Sequence, residues 1–252
     1  MSDSPAPERR RPLPPVLDPP GGLKYNFIRY GLRFFVGCYL RVRLEGAHRL
    51  PLDEPYLVCF SHPSWVDPMI LVAHWPAKRW LYIFGPREVD MQVGWRNGLI
   101  RWGRIAVPFR PAKDDLLDTT RRAVGVLKRG YLLAIAGEGR LSDREGEIMP
   151  LQEGPAFLAL RAGVPIVPVA VIGTRWLSFG KRVVVRIGDA LPTEGKRADR
   201  ETIAEVTRDV ESRIRELLVG VKDEPPPGPF GRWFTEVFNE RPWLDEEQAP
   251  GG

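Results

Sequence analysis

Short, wholly apolar runs alternate with longer amphipathic stretches along this chain. The runs that predict buried strands are residues 56–60, 80–84, 105–110, 131–136 and 165–171. Between them, apolar positions recur at the spacing of about 3.6 residues that is typical of helices. Continuously apolar strands that alternate with helices indicate a parallel sheet covered on both faces. The pattern therefore predicts an α/β fold with a largely parallel central sheet flanked by helices.

A strongly apolar helix is predicted ahead of these strands, over residues 23–40. Its polar residues, including Arg29 and Arg33, fall on one narrow stripe, and aromatic and aliphatic residues cover most of the rest. Those two arginines and Lys24 argue against a membrane span, which needs about 20 mainly apolar residues. Such an amphipathic helix suits the interfacial zone of a bilayer or packing on the protein's own core, and one face could serve each purpose.

Changes in composition divide the chain into four parts. Residues 1–22 are rich in proline and arginine and predict a flexible tail without the apolar core of a signal peptide. Residues 23–45 hold the predicted membrane-interface helix, and residues 41–46 alternate in the way that is typical of a half-exposed strand. Residues 46–220 hold the folded domain. The proline-rich stretch 224–229 breaks the helical pattern, so residues 221–252 are predicted to be a C-terminal tail.

Composition supports a folded protein and limits which charged partners, disulfides and metal sites are expected. The balance of 37 basic against 32 acidic residues leaves a net charge of +5, which is compatible with anionic lipid, an anionic substrate or nucleic acid. Cys38 and Cys59 lie in apolar runs without metal-like spacing, which predicts buried thiols and no disulfide framework. The three histidines are too scattered for a metal cluster, so no metal site is expected.

The segment 61–67, Ser-His-Pro-Ser-Trp-Val-Asp, joins a predicted strand to a predicted helix. His62 can accept a proton near neutral pH, and a carboxylate bound to its other ring nitrogen would stabilise the imidazolium. Positions five apart diverge by about 140° on a helix, so Asp67 can meet His62 only across a turn, which Pro63 and Pro68 favour. The pair predicts a base and its orienting carboxylate; the alternative is that Asp67 only caps the helix.

Two further predicted strand ends carry polar residues. Arg110 follows one strand, and Glu138, Gly139 and Arg140 follow another. Ligands of open parallel sheets bind beyond the carboxyl ends of the strands, so these residues are expected to join His62 in one site. Guanidinium groups bind phosphate through paired hydrogen bonds, and glycine lets the backbone approach a ligand closely. The set suits a phosphate-bearing substrate, with ordinary surface ion pairing as the alternative for each arginine.

Four sequence blocks together resemble the glycerolipid acyltransferase family, which includes bacterial 1-acylglycerol-3-phosphate acyltransferases. His62–Asp67 is similar to the family's first motif, HxxxxD, and Phe109–Arg110 to its second, which ends in arginine. Residues 138–142, Glu-Gly-Arg-Leu-Ser, resemble the third motif, and residues 164–169 resemble the proline-containing fourth. The blocks stand in the family's order over residues 43–187.

The chain departs from the family's pattern around the third motif. Ala136-Gly137 stand where Phe-Pro is usual, and Arg140 comes one position before the motif's arginine, whose place Leu141 takes. Ser61 stands where asparagine commonly precedes the first motif, and the lysine of the second motif is absent. The first motif itself is intact, so the departures concern recognition of the acceptor.

The resemblance implies transfer of a fatty acyl group from acyl-CoA or acyl carrier protein to a lysophospholipid hydroxyl, first of all that of 1-acylglycerol 3-phosphate, giving phosphatidic acid. His62 would be the general base and Asp67 its orienter. Arg110 and Arg140 would hold the acceptor phosphate, and Glu138, beside Gly139, would organise that pocket. No metal or bound cofactor is needed. Another lysophospholipid or an aminolipid remains an open alternative as acceptor.

The same resemblance implies that residues 46–220 are the acyltransferase domain. It also implies that the protein acts at the cytoplasmic face of a membrane, which residues 23–40 contact. Nucleic acid is not an expected partner, although Arg-Trp pairs and the pI of about 9.4 would suit one, because Trp80 lies in a buried-type strand. A non-catalytic membrane adapter is disfavoured by the intact first motif. Ser61 or Ser64 as an acylated nucleophile is disfavoured because the chain has no Gly-x-Ser-x-Gly elbow.

Overall fold

The structure, a computed structural model, describes residues 22–87, 102–109, 113–142 and 144–238. In chain order its helices and strands are α1 (Gly22–Tyr39), β1 (Leu40–Glu45), a 3-10 turn (Ala47–Arg49), β2 (Leu57–Phe60), α2 (Asp67–His74), β3 (Leu81–Arg87), β4 (Ala106–Phe109), α3 (Lys113–Lys128), β5 (Leu132–Ala136), α4 (Gly154–Ala162), β6 (Ile166–Ile172), β7 (Lys181–Ile187), α5 (Arg200–Leu218) and α6 (Pro229–Phe238).

The strands of the described residues form one sheet, in the order β1-β7-β6-β2-β5-β3-β4. Neighbouring strands are parallel except β6 and β7, so β1 and β7 run opposite to the other five. The predicted α/β fold with a largely parallel sheet is confirmed. The carboxyl ends of β2 and β5, which precede the candidate site residues, therefore lie side by side at one edge of the sheet.

Helices cover both faces of the sheet. Along β2, Val58 and Phe60 pack with α1 and α2 on one face, whereas Leu57 and Cys59 pack with α3, α4 and α5 on the other. Because both faces are buried, the strand has no polar positions. Burial raises the pKa of the Cys59 thiol to about 12, as is expected of a thiol among apolar side chains.

The structure departs from the sequence prediction at the N-terminal side of the domain. The predicted helix ends at Tyr39, and the strand predicted at residues 41–46 is present as β1 (Leu40–Glu45), paired in parallel with β7 from Leu40 opposite Lys181. The sheet of the domain therefore begins before residue 46, the predicted boundary. Cys38 is exposed, so the prediction that both thiols are buried is wrong for that residue. None of the described helices is long and apolar enough to cross a bilayer.

The predicted C-terminal tail is also partly structured. Helix α6 returns to the domain, where the buried Thr235 hydroxyl accepts the Leu177 N–H at 2.9 Å. The domain therefore extends past the boundary predicted at residue 220. A boundary drawn from proline content missed these contacts because the partners lie 58 residues apart in the chain. Residues 1–21 and 239–252, which hold the rest of both predicted tails, lie outside the described residues.

Candidate active site

A tight turn between β2 and α2 brings His62 and Asp67 together. The Oδ2 atom of Asp67 lies 3.0 Å from Nδ1 of His62 and accepts the Ser64 N–H at 2.7 Å. The Asp67 N–H in turn donates to the Ser64 carbonyl at 3.0 Å, and Pro68 occupies the first turn of α2, where proline fits. The turn that the sequence required is present. The catalytic roles of the two residues stay a prediction.

The pair is set at the boundary between the protein interior and solvent. Asp67 is fully buried, and the side chain of His62 is 15% exposed. Burial raises the pKa of the Asp67 carboxyl, while the hydrogen bond and charge of His62, the nearby Thr174 hydroxyl and the hydrogen bond from the Ser64 N–H lower it. With Nδ1 held by Asp67, the Nε2 atom of His62 is the ring nitrogen left for a substrate proton. The arrangement can serve as a general base.

Glu138 fastens the loop after β5 to the His62 turn. Its buried carboxylate accepts the Ser142 hydroxyl at 2.6 Å, the Met149 N–H at 3.1 Å and the His62 N–H at 3.2 Å. The Ser142 N–H completes the link by donating to the His62 carbonyl at 2.8 Å. The predicted meeting of the two strand ends is therefore present. These contacts indicate that Glu138 holds the two loops of the site together and is itself buried in the protein.

Gly139 and Arg140 lie at the exposed tip of this loop. Gly139 has a φ of +70°, a conformation that glycine adopts without strain. The guanidinium of Arg140 lies against Met149, with Nε 3.0 Å from the sulfur. Arg140 is thus two residues from the bond that joins Ser142 to the His62 turn, at the rim of the site. Arg110, the second predicted phosphate ligand, lies outside the described residues.

Both serines beside His62 are built into the framework. The Ser61 hydroxyl accepts the Val171 N–H of β6 at 3.0 Å, and the Ser64 hydroxyl accepts the Val66 N–H at 3.3 Å. Both residues are buried. A serine hydroxyl that bonds the backbone of its own turn is common in such turns. These contacts suit structural serines, and His62 remains the candidate that chemistry favours.

Sequence analysis missed a buried carboxylate behind Asp67. Glu145 accepts the Gly173 N–H at 2.6 Å and the Arg175 N–H at 3.0 Å, so it holds the turn after β6 that carries Thr174. Burial raises the pKa of Glu145 from 4.5 to about 7, and the negative charge of Asp67 acts in the same direction. Glu145 precedes a glycine in a charged stretch, which is typical of an exposed turn, so the sequence carried no signal of its burial.

The segment after α5 completes this support. Asp223 accepts the Glu145 N–H at 3.1 Å and pairs with the buried Arg175 guanidinium at 2.6 Å. Residues beyond the predicted domain boundary therefore stabilise the turn behind the catalytic candidates. No group of three or more potential metal ligands occurs in the ranges that the structure describes. The expectation that no metal or cofactor is needed stays a prediction.

One Arg-Trp pair that suggested nucleic-acid binding has internal partners. Trp80 stacks between Tyr25, at 5.1 Å between ring centroids, and Tyr131, at 5.5 Å. The Arg79 guanidinium donates to the Gly130 and Asp53 carbonyls. Both side chains thus hold the fold together. The other adjacent pairs are Trp95-Arg96 and Arg101-Trp102. Of these, Trp95, Arg96 and Arg101 lie outside the described residues.

Comparison with known proteins gives matches over most of this domain. Residues 41–172 match the family model described as Acyltransferase. Human 1-acyl-sn-glycerol-3-phosphate acyltransferase beta is 29% identical, over 67% of this chain and 61% of that protein. The bovine alpha enzyme is 27% identical, over 64% of this chain and 57% of that protein. The chain thus spans little more than half the length of these curated relatives.

The fold is similar to a solved structure, that of the 1-acyl-sn-glycerophosphate (LPA) acyltransferase PlsC from Thermotoga maritima. The TM-score is 0.60 at 21% identity, and the alignment covers 79% of this chain and 81% of that one. At this identity the similarity shows the fold alone. The region that matches the family model contains the His62 turn and the Glu138 loop, and it ends at Ile172, before β7, α5 and α6.

Proposed function

Since this chain belongs to the Acyltransferase family, we propose that it transfers a fatty acyl group from a thioester donor to the hydroxyl of a lysophospholipid. The observation that carries the proposal is the 3.0 Å contact between His62 Nδ1 and buried Asp67 at the end of β2. The match to the family model confirms the family that the sequence motifs suggested. The reaction, the substrates and the residue roles are the proposal.

The geometry supports a direct transfer. The Nε2 atom of His62 takes the proton of the acceptor hydroxyl while the hydroxyl oxygen attacks the thioester carbonyl carbon. Asp67 stabilises the imidazolium that forms. As the tetrahedral intermediate collapses, the carbon–sulfur bond breaks, and the imidazolium returns its proton to the departing thiol. The products are an ester and a free thiol, with His62 neutral again.

The proposed acceptor is 1-acylglycerol 3-phosphate, and the product is phosphatidic acid. The names of the human and bovine relatives specify this activity for those proteins. Arg140 is placed at the rim of the loop that Glu138 and Ser142 fasten to the His62 turn, where a guanidinium can meet a phosphate. Arg110 is proposed as its partner from the motif. Acyl-CoA and acyl carrier protein are the proposed donors.

The proposed site of action is the cytoplasmic face of a membrane, where α1 contacts the bilayer. Tyr25 and Val36 of α1 are buried against the domain, and Arg29 donates to the Trp75 carbonyl. The opposite side of α1 exposes an apolar stripe at helical spacing: Leu23, Phe27, Tyr30 and Phe34. One face of the helix thus packs on the core and the other is open to lipid, which unites the two alternatives left by the sequence.

A panel of acceptors tests the proposal. Thiol release from acyl-CoA and from acyl carrier protein is followed with purified protein, and lipid products are identified by mass spectrometry. We expect phosphatidic acid from 1-acylglycerol 3-phosphate. Faster turnover of an uncharged lysophospholipid or an aminolipid would overturn the acceptor assignment. Absence of acceptor-dependent thiol release across the panel would overturn the proposed activity.

A further inference from the structure

Two buried polar atoms beside the His62–Asp67 pair have hydrogen-bonding capacity that is not used. The Oδ2 atom of Asp67 contacts His62 and Ser64, whereas its Oδ1 atom is buried without a hydrogen-bond partner among the described residues. The hydroxyl of Thr174, a residue with no exposed surface, is in the same situation within that part of the chain. Buried polar atoms are normally paired, so each of these two requires an explanation.

The fold places Thr174 next to Asp67. Strands β2 and β6 are parallel neighbours, and the Val171 N–H of β6 donates to the hydroxyl of Ser61, directly after β2, at 3.0 Å. The turns that follow these two strands therefore leave the sheet side by side at the same edge. The Thr174 hydroxyl lowers the pKa of Asp67, an effect that a donor has only when it lies close to the carboxylate. The donor without an acceptor and the acceptor without a donor are thus neighbours.

Glu145 fixes the turn that carries Thr174. Its carboxylate accepts the N–H groups of the residues on both sides, Gly173 at 2.6 Å and Arg175 at 3.0 Å. Gly173 has a φ of +89°, and a Cβ atom there would lie 2.6 Å from the Arg182 carbonyl oxygen, so the position requires glycine. The backbone of the turn is therefore set on both sides of Thr174, which limits the directions in which its hydroxyl can point.

A further donor to Asp67 would serve the chemistry of the site. Burial raises the pKa of Asp67, and the second buried carboxylate, Glu145, lies close enough to be affected by the Asp67 charge. A hydrogen bond to Oδ1 counteracts both effects, because it stabilises the ionised form of the carboxylate. It also fixes the plane of the carboxylate, so that Oδ2 stays directed at Nδ1 of His62.

We propose that Thr174 is a positioning residue of the candidate active site: its hydroxyl donates a hydrogen bond to Oδ1 of ionised Asp67 and thereby holds the carboxylate that orients His62. Thr174 acts through Asp67 and not on the substrate. Its effect on turnover rests on the proposed function. The hydrogen bond itself does not, and can be measured without turnover.

The variant Thr174→Val tests the proposal, because it keeps the shape of the side chain and removes the hydroxyl. Loss of one hydrogen bond to a carboxylate should lower kcat for thiol release about tenfold and leave KM for 1-acylglycerol 3-phosphate unchanged. A carboxylate with one donor fewer holds a proton on the His62–Asp67 pair more tightly. The acidic limb of the kcat/KM profile should therefore move to higher pH. Thr174→Ser keeps the hydroxyl and should behave as the wild type does.

The matched control is Thr193→Val, which removes another buried threonine hydroxyl. The Thr193 hydroxyl donates to the Val164 carbonyl at 2.7 Å, just before β6 and thus at the opposite edge of the sheet. This variant should lose stability in chemical denaturation without any change in kcat or in the pH profile. A change in both variants alike would reflect loss of a buried hydroxyl in general and would overturn the proposed role of Thr174.

A second variant pair excludes Glu145 as the source of the pH shift. The charged groups that act on Asp67 and Glu145 are His62 and Lys181, together with the two carboxylates themselves. Glu145→Gln/Thr174→Val should differ from Glu145→Gln by the same shift that separates Thr174→Val from the wild type. A shift that disappears in the Glu145→Gln background would assign the effect to Glu145 and contradict the proposal.

Proton NMR measures the hydrogen bond without turnover. An imidazole N–H that donates to a buried carboxylate gives a resonance far downfield of the amide protons, and its loss in His62→Ala assigns it to His62. In Thr174→Val this resonance should move further downfield, because a carboxylate that loses one donor accepts more strongly from the other. In Thr174→Ser and Thr193→Val it should stay in place.

The outcomes separate this proposal from the proposed function. A folded Thr174→Val variant with unchanged kcat, pH profile and His62 resonance would overturn the proposal, as would an effect on stability alone. Equal impairment of Thr174→Ser and Thr174→Val would assign the effect to packing instead of the hydroxyl. A wild type without acceptor-dependent thiol release, whose His62 resonance still responds to Thr174→Val, would support the hydrogen bond and refute the proposed function.

Discussion

The His62 turn and the exposed aromatic side chains of α1 and α6 depart from the usual distribution of side chains in opposite ways. Around the turn, the carboxylates of Asp67, Glu138 and Glu145 are buried, and each accepts at least two hydrogen bonds. On the surface, large aromatic side chains are exposed. Burying a carboxylate is costly unless hydrogen bonds offset the lost hydration, and exposing aromatic residues forgoes their burial energy.

The difference separates two requirements of the proposed reaction. Chemistry at a hydroxyl needs polar groups held rigidly away from water, and access to a membrane lipid needs apolar groups that stay available. Changes at the turn should therefore slow the reaction on every form of the substrate. Changes on the exposed apolar stripe of α1 should slow it only on bilayers. Four variants of site residues are ordered by expected effect: three change the reaction, and Glu145→Gln changes stability.

His62→Ala should have the largest effect. Removing a general base typically costs 10²- to 10⁴-fold, and here the same residue also returns the proton, so we expect thiol release to fall by roughly 10⁴-fold. The loss should be equal on vesicles and in detergent. His48→Ala, in the exposed 3-10 turn, is the matched control. A folded His62 variant with the wild-type rate would remove this residue from the mechanism.

Asp67→Asn should lower kcat by roughly 10³-fold and leave KM for the acceptor nearly unchanged, because it disturbs the tautomer and charge of His62 without touching the acceptor. Burial raises the pKa of Asp67, so the protein disfavours its negative charge and should tolerate the neutral amide. Steady-state kinetics and chemical denaturation measure both effects. A raised KM with normal kcat would place Asp67 in acceptor binding instead.

Glu145→Gln should change how stability depends on pH. Folding raises the pKa of Glu145 from 4.5 to about 7, so its contribution is fully present below about pH 4.5 and is lost as the pH rises through about 7. Over that interval, the free energy of unfolding of the wild type should fall by about 3 kcal/mol relative to the variant.

The matched control for this variant is Glu147→Gln, since Glu147 is an exposed carboxylate two residues further on. It should follow the pH dependence of the wild type. In Glu145→Gln, one of the N–H groups of Gly173 and Arg175 loses its acceptor, which adds a pH-independent cost of about 1–3 kcal/mol. A difference from wild type that stays constant from acidic to neutral pH would contradict the titration of Glu145.

Arg140→Ala should have the smallest effect and the most selective one. Loss of one charge-assisted contact to the acceptor phosphate should raise KM for 1-acylglycerol 3-phosphate about tenfold. KM for the thioester should not change. Arg144→Ala removes another exposed arginine of the same segment, one that pairs with Glu147, and serves as control. Equal effects on acceptor and donor would argue against a phosphate contact.

Much of the site was predictable because its signals are local. The turn that joins His62 to Asp67 follows from two prolines and a five-residue spacing, and the α/β fold follows from apolar runs buried on both faces. Glu145 and α6 had no such signal. A carboxylate before glycine and a short aromatic segment after a proline run are both typical of exposed chain, and only their distant partners, Gly173, Arg175 and Leu177, reveal their places.

By itself the amino-acid sequence determined the layered architecture of this protein, its family and the pairing of His62 with Asp67, since hydrophobic periodicity and turn chemistry act between residues close in the chain. Only the tertiary structure decided that β1 joins the sheet of the domain beside β7, that Glu145 and Asp223 support the turn behind Asp67, and that α6 packs back onto the domain through Thr235. Those features depend on contacts between distant segments, and such contacts exist only once the sheet has assembled.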